Sequence, residues 1–252
     1  MSEVRGPADA ADRFRSLHRP GDPVLLANAW DAASARIVAA QGFPAVATSS
    51  VAVAESLGHA DGGTAPATEM FAAAARIAAA VDVPVTVDAE DGYRLPPAAL
   101  VDALLAAGAV GCNIEDSTGA VLSDVDDQAA RLAGIRKAAG DAGVPLVLNA
   151  RVDVFLRRGD ADEADVVDAA IARANRYLAA GADCAYPIGC REPDTIARLV
   201  DGIDGPVNVH WRPAGPTPAV LATLGVARIS TGGLLWRAAM DAYRDAVAAL
   251  RD

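Results

Sequence analysis

The chain has no basic patch that could hold a phosphate backbone. With 22 Lys and Arg against 33 Asp and Glu, its net charge is −11, and its pI is about 4.7, so a nucleic acid is not an expected partner. No apolar run approaches the roughly 18 residues that a membrane-spanning helix needs. The N-terminus also lacks the charged-then-apolar order of a signal peptide, so a soluble, cytoplasmic protein with no membrane partner is expected. Cysteine is scarce and odd in number: Cys112, Cys184 and Cys190 show no metal-ligand spacing and no disulfide framework. Cys112 and Cys184 fall in expected strands and read as small core residues, and Cys190 as an inert loop thiol near the mouth of the fold. There is no Ser/Gly linker and no break in composition, so residues 1–252 read as one domain with a leading helical segment at 1–20. A Gly-rich dinucleotide fingerprint is missing as well. After the first expected strand stands Asn28-Ala29-Trp30-Asp31-Ala32-Ala33, which argues against a Rossmann sheet.

What is present is a regular alternation of short β-rich runs and helical patterns, punctuated by Gly, Pro and Asp. Strands are expected at 24–28, 45–48, 83–90, 110–115, 145–150, 184–187, 206–210 and 227–230. Helices are expected at 7–17, 32–41, 68–81, 96–107, 128–139, 163–180, 193–200, 218–224 and 234–250. Residues 51–67 and 117–127 read as long loops. Eight strands alternating with helices in about 250 residues is the count of a (β/α)8 TIM-type barrel, an α/β fold; an open doubly wound sheet is the alternative.

Two strands end in acids. Val85-Thr86-Val87-Asp88-Ala89-Glu90-Asp91-Gly92 puts Asp88 and Glu90 on one side by strand alternation, and Cys112-Asn113-Ile114-Glu115-Asp116 repeats the pattern. At the carboxyl edge of a parallel barrel both would face the mouth, where oxygen-only ligands suit Mg2+ first and Mn2+ second. Acids in such places also serve as helix caps or solvated surface. Asp61 is either part of that mouth or an ordinary turn residue beside Gly62, and Arg151 is either a counter-ion to the acids or a clamp for an anionic substrate. Asn208 and His210 alternate on one strand and reach the mouth if they face inward; His210 is then placed for proton transfer or is a structural histidine. Ser230-Thr231-Gly232-Gly233 before the last helix could bind an anion.

Taken together, Asn28-Ala29-Trp30-Asp31, Thr48-Ser49-Ser50, Ser56-Leu57-Gly58 with Asp61, Asp88-Ala89-Glu90-Asp91-Gly92-Tyr93, Asn113-Ile114-Glu115-Asp116 and Asn149-Ala150-Arg151-Val152-Asp153 resemble the isocitrate lyase/phosphoenolpyruvate mutase superfamily over about residues 22–240. The resemblance implies an (α/β)8 barrel that binds Mg2+ and a 2-oxo acid or its enolate. It implies metal ligation by Asp88, Glu90 and Glu115, with Asp61 acting largely through water, and substrate contacts from Thr48, Ser49, Ser50 and Arg151. Asp88 and Asn208 are added as expected substrate contacts, and Arg151, Glu115 and His210 as expected catalytic groups. Metal and donors would stabilise the enolate.

Two departures stand out. The loop at 117–127 has no Cys, His or Lys, so it lacks the thiol acid/base of the lyases and the Lys and Asn of the mutase branch; and Glu90 stands where many relatives have Asp. The expected activity is a Mg2+-dependent lyase or hydrolase acting on a C–C bond beside a 2-oxo or 2-hydroxy carboxylate. The alternatives are a P–C mutase or phosphonopyruvate hydrolase, a non-catalytic 2-oxo-acid binder, and a phosphate-binding barrel built on 230–233. The last helix, with Leu234, Leu235, Trp236, Met240, Tyr243, Val247 and Leu250, is more apolar than one barrel wall requires unless it packs on the leading helix. The resemblance implies that it is exchanged between neighbouring barrels in a homo-oligomeric dimer or tetramer.

Overall fold

Proline, glycine and aspartate punctuate the chain, and the elements of the computed structural model, which describes residues 6–251, follow them. In order these are α1 (Pro7–Arg15), β1 (Val24–Leu26), β2 (Asn28–Ala29), α2 (Ala32–Ala40), β3 (Val46–Thr48), α3 (Ser50–Ser56), α4 (Ala67–Ala78), β4 (Val85–Asp88), α5 (Pro97–Ala106) and β5 (Gly111–Glu115). A hairpin of β6 (Ser117–Thr118) and β7 (Val121–Leu122) follows, then α6 (Val125–Asp141), β8 (Val147–Val152), a 3-10 turn at Val154–Leu156 and α7 (Glu163–Ala179). The chain ends with β9 (Cys184–Pro187), α8 (Pro193–Gly202), β10 (Asn208–His210), α9 (Pro218–Thr223), β11 (Arg228–Ser230) and α10 (Leu234–Ala248). Pro opens α1, α5, α8 and α9 at a position where its missing N–H has no partner to lose.

The wall strands are parallel and their pairings return to the start. Only Ala27 separates β1 from β2; the first half of this strand pairs with β11 (Val24↔Arg228) and the second with β3 (Asn28↔Ala47). From β3 the order runs through β4, β5 and β8 to β9. A bridge Ala185↔Val207 then joins β9 to the residue before β10, which pairs with β11. Counting β1 and β2 as one strand and setting the β6–β7 hairpin aside, the ring has eight strands, a (β/α)8 arrangement. Its apolar layer lies between strands and helices, where Leu100, Leu104, Ile114, Leu132, Ile135, Leu146 and Leu148 are fully buried.

The N-terminal end of the ring is stoppered by α1. Phe14 is buried there, and a Cβ at Gly111 would come within 3.0 Å of its ring and of the Val147 carbonyl, so the start of β5 has room only for glycine. The barrel interior is polar rather than aliphatic. Arg228, fully buried, reaches Asn113 Oδ1 at 3.1 Å and Ser230 Oγ at 3.3 Å, with its guanidinium 5.9 Å from the Phe14 ring centroid.

Four details differ from the sequence reading. The stretch after Thr48 is not a loop from the outset, because Ser50–Ser56 is helical; its first N–H is bonded to the Asp88 carboxylate, a cap supplied from a distant strand. The segment 117–127 contains the β6–β7 hairpin and the start of α6. β4 ends at Asp88, so Glu90 lies beyond the strand. β8 extends to Val152, which puts Arg151 inside the strand rather than after it. Residues 1–5 of the expected leading segment lie outside the described residues. Among those described, no helix is long and apolar enough to cross a membrane.

Candidate active site

Asp88 ends β4 at the carboxyl edge of the ring and is oriented from three sides. Its carboxylate accepts from the Ser50 N–H at 3.1 Å and the Ser50 hydroxyl at 2.8 Å, while its own N–H donates to Thr48 Oγ1 at 3.0 Å. From beneath, Asn113 Nδ2 lies 3.5 Å from Asp88 Oδ1. Asn113 Oδ1 already accepts from Asn149 Nδ2 and Arg228 Nη2, which leaves its NH2 group to face the carboxylate. Thr48 and Asn113 therefore fix Asp88 from below, and Ser49, buried beside them, makes no side-chain cap to α3.

Ser50 also lines a cavity of about 580 Å3, together with Asp61, Glu90, Asp91, Glu115 and Arg151; Asp88 is joined to that cavity through Ser50. Glu90 reaches the cavity through strain, not alternation: its φ is +50°, and Tyr93 and Arg94 in the same turn are also left-handed, at +51° and +58°. Such conformations cluster at functional sites. Gly63, itself left-handed at φ +75°, lies beside Glu90, and its backbone N–H favours the Glu90 carboxylate. Arg151 donates through Nη1 to Glu115 Oε2 at 2.7 Å and through Nε to Asp153 Oδ1 at 2.6 Å, with Asp153 wholly buried. Burial opposes the Arg151 charge, but Glu115, Asp153 and Asp88 outweigh it and hold the group charged. The neighbouring Asp116 turns away, its carboxylate taken by Arg173, Tyr177 and the Asp153 N–H.

The acids repel one another. Burial, then the charges of Asp88 and Asp61, push Glu90 up to about 7. Burial pushes Glu115 up to about 8, with Asp153, Asp88 and Glu90 adding to it against the pull of Arg151. Burial and the charge of Asp88 also raise Asp61, against the Gly62 N–H. Among the described residues, no three acidic, histidine or cysteine side chains converge closely enough to hold an ion directly. An excess of buried carboxylate oxygens around an open cavity nevertheless fits a hard cation that keeps part of its water, as Mg2+ does.

Other expected residues lie elsewhere. Asn208 is buried in the barrel and exchanges hydrogen bonds with Ser230. His210 lines a second cavity and its Nε2 bonds the Thr231 carbonyl at 3.2 Å. Burial and the charges of Arg212, Arg237 and Arg151 lower it to about 4, so it is neutral at pH 7. The N–H groups of Thr231 and Gly232 are already taken by Asn28 Oδ1, at 3.0 and 2.9 Å, which removes two of the donors that an anion at 230–233 would use. Cys112 and Cys184 are buried in their strands, and Cys190 is buried against Glu163, which with burial raises its thiol.

Several lining groups were not singled out from the sequence. Arg157 donates to Ser117 Oγ and to the Gly119 carbonyl, tying the 3-10 turn after β8 to the β6–β7 hairpin across the mouth. Thr118 of that hairpin donates to Asp91 at 3.1 Å. A basic residue six places after Arg151, in a chain otherwise acidic at its strand ends, was the available signal.

Two measurements probe this geometry. Glu90→Gly removes both a left-handed non-glycine residue and a like charge, so the metal-free protein should gain about 1–2 kcal/mol in urea unfolding. No gain would mean that the turn is unstrained. The acids also set a pH dependence: because Glu90 and Glu115 have raised pKa values in the fold, their contribution is full below about 4.5 and lost as pH rises to about 8. In chelator, the melting temperature should fall across that window, and Mg2+ should restore it. Superimposable pH profiles with and without Mg2+ would dissociate the carboxylates from the ion.

A parallel barrel with charged groups converging at its carboxyl edge is the architecture of the (β/α)8 enzymes. The phosphoenolpyruvate phosphomutase profile matches residues 14–251, and the chain belongs to that family, within the isocitrate lyase/phosphoenolpyruvate mutase superfamily. A crystal structure from Burkholderia cenocepacia, described as a candidate phosphonomutase, is 45% identical and superposes with a TM-score of 0.90 over 95% of this chain and 99% of that one. An uncharacterised protein of Mycobacterium tuberculosis is 39% identical over 95% of this chain and 89% of its own length. The chloroplastic carboxyvinyl-carboxyphosphonate phosphorylmutase of Arabidopsis thaliana is 35% identical over 78% of this chain and 60% of its own length.

Proposed function

We propose that this barrel is a Mg2+-dependent enzyme, with Mn2+ as the alternative ion, that cleaves or forms a C–C bond beside a 2-oxo or 2-hydroxy carboxylate. The superfamily includes lyases, an oxaloacetate decarboxylase and phosphonomutases. The observation that carries the reading is the joint lining of one cavity by Asp61, Glu90, Glu115 and a fixed, charged Arg151, together with Ser50, which holds Asp88. Asp88, Glu90 and Glu115 would hold the ion, with its water bridging to the carboxylates that stand too far apart for direct contact, and Asp61 would act through water. A bound divalent ion would supply Lewis-acid stabilisation of the enolate oxygen. Arg151, held by Asp153 and Glu115, would orient the anionic substrate with the part of its fork facing the cavity. Ser50, whose hydroxyl donates to Asp88, positions the carboxylate. The hairpin at Ser117–Leu122 and Arg157 would shield the mouth from water.

P–C bond chemistry is the second reading, favoured by Arg94 and Arg157, which with Arg151 bring three arginines to the cavity, suited to a phosphonate. A turnover screen separates them: oxaloacetate and substituted malates on one side, phosphonopyruvate on the other, each with Mg2+ and with chelator. Mg2+-dependent turnover of the carboxylates is expected. Tight Mg2+-dependent binding of oxalate without turnover of any compound would make the protein a 2-oxo-acid binder, and no Mg2+-dependent oxalate binding would reject the site.

The chain is proposed to act as one domain and as a homo-oligomer. No residue of α10 is buried. The helix touches its own barrel through Leu235 and through Trp236, which packs edge-on against Trp30 with centroids 5.2 Å apart and donates to Glu55. Tyr243, Val247 and Leu250 are left exposed, as a helix exchanged between neighbouring barrels would leave them. Light scattering is expected to give a multiple of 25.6 kDa; a single-chain mass across the micromolar range would remove the assembly.

A further inference from the structure

A second cavity opens at the same edge of the barrel, beside β9 and β10, and the reaction proposed above makes no use of it. It measures about 500 Å3 and combines an apolar floor of Ile196, Val209, Trp211 and Leu221 with two guanidinium groups, Arg191 and Arg212. Asn208 faces the barrel interior, where it bonds Ser230, so by strand alternation Val209 faces the helix layer. The cavity therefore lies at the carboxyl end of β10, between that strand and the helices α8 and α9, with His210 on its inner rim, and it shares no lining residue with the acidic mouth.

Its charge is uncompensated. Among the described residues, neither Arg191 nor Arg212 forms an ion pair. The one acid lining the cavity is Glu192, which is exposed. Glu163 nearby is already taken by the N–H groups of Arg191 and Glu192 and by Arg158. Burial and then the charges of Arg191 and Arg237 lower the pKa of Arg212, as expected where cations gather without a counter-ion. Trp211 adds a donor: its Nε1–H is buried and has no acceptor. A buried unpaired N–H beside two free guanidinium groups is a place for an oxyanion, and the aliphatic floor is a place for a hydrocarbon chain.

We propose that this cavity is a second small-molecule site, which takes an aliphatic carboxylic acid with its carboxylate at Arg191, Arg212 and Trp211 and its chain against Ile196, Val209 and Leu221. The acid is either a free ligand or the distal arm of a longer substrate whose reacting end sits in the acidic mouth. Binding of the acid is independent of the metal reading, because the cavity contains none of the residues assigned to the ion; its identity as a substrate's distal arm rests on the function proposed above.

The test uses the full chain in chelator, titrated with hexanoate and followed by tryptophan fluorescence, with hexylamine as the probe of equal length and opposite charge. Saturable binding of hexanoate and none of hexylamine is expected, with the signal lost in Trp211→Phe. The double variant Arg191→Gln, Arg212→Gln should weaken hexanoate by on the order of tenfold or more, as loss of charged hydrogen bonds implies. Repeating the titration with Mg2+ and saturating oxalate identifies the source: unchanged affinity means a separate ligand, and mutual exclusion means the distal arm of the substrate. The proposal is overturned if hexanoate does not saturate, if hexylamine binds equally, if the signal persists in Trp211→Phe, or if the folded double variant binds as wild type does. The amine comparison uses the unmodified protein, so it decides the matter even if the double variant does not fold. Oxalate binding with Mg2+ reports separately on the acidic mouth.

Discussion

Asp88→Asn is expected to lower Mg2+ affinity by at least on the order of 100-fold, the upper end of what even outer-shell metal partners cost, and to abolish turnover. Asn is the informative replacement because Asp88 has two duties. Its carboxylate caps the first turn of α3 by accepting from the Ser50 N–H and hydroxyl. An amide oxygen keeps an acceptor there, whereas Ala would strand a helix N–H and confuse loss of metal with loss of fold. Removing one charge from a mutually repelling group of acids should leave the metal-free Asn variant as stable as wild type or slightly more so. Calorimetry and thermal melting together decide the matter: unchanged Mg2+ binding in a folded Asn variant would free Asp88 of any metal role.

Arg151→Lys is expected to reduce kcat/KM by about 30- to 150-fold, the equivalent of about 2–3 kcal/mol for a lost charged hydrogen bond. The guanidinium engages Glu115 and Asp153 on different sides. A single ammonium lacks the planar fork that spans both and still faces a substrate. Arg151→Met should act differently. It leaves the wholly buried Asp153 without its main counter-ion, and breaking such a pair destabilises by about 3–5 kcal/mol. If Arg151 served structure alone, Lys would lower the melting temperature without changing the kinetics of the folded fraction, and that outcome would reassign it.

Much of this architecture was legible because it is local. Pro97, Pro193 and Pro218 each open a helix, Asp31 caps α2, and the apolar runs before Asp88 and Glu115 are strands, so the alternation that defines the barrel could be read from neighbouring residues. What escaped is set by contacts distant in sequence. The helix α3 is short, and its cap comes from Asp88, so nothing within residues 50–56 announces it. Strand alternation points Glu90 at the mouth, but it arrives there through a left-handed turn after the strand has ended. Strand alternation puts Asn208 and His210 on one face. Pairing with Ser230 spends the first in the barrel interior, and the second stands over the basic cavity. That cavity is assembled from Arg191 and Arg212, which follow different strands, and no local pattern links them.

The acidic mouth also imposes an order of arrival. A chain of net charge −11 that gathers carboxylates around its cavity attracts cations at long range and repels anions. Before a divalent ion is present, Arg151 is already engaged with Glu115 and Asp153 and offers an approaching carboxylate little field to follow. Encounter should therefore favour the ion first and the organic anion second. Added salt, which shortens the reach of the repulsion, should speed capture of the anion by the metal-free protein, the reverse of its effect on an enzyme whose mouth attracts its substrate.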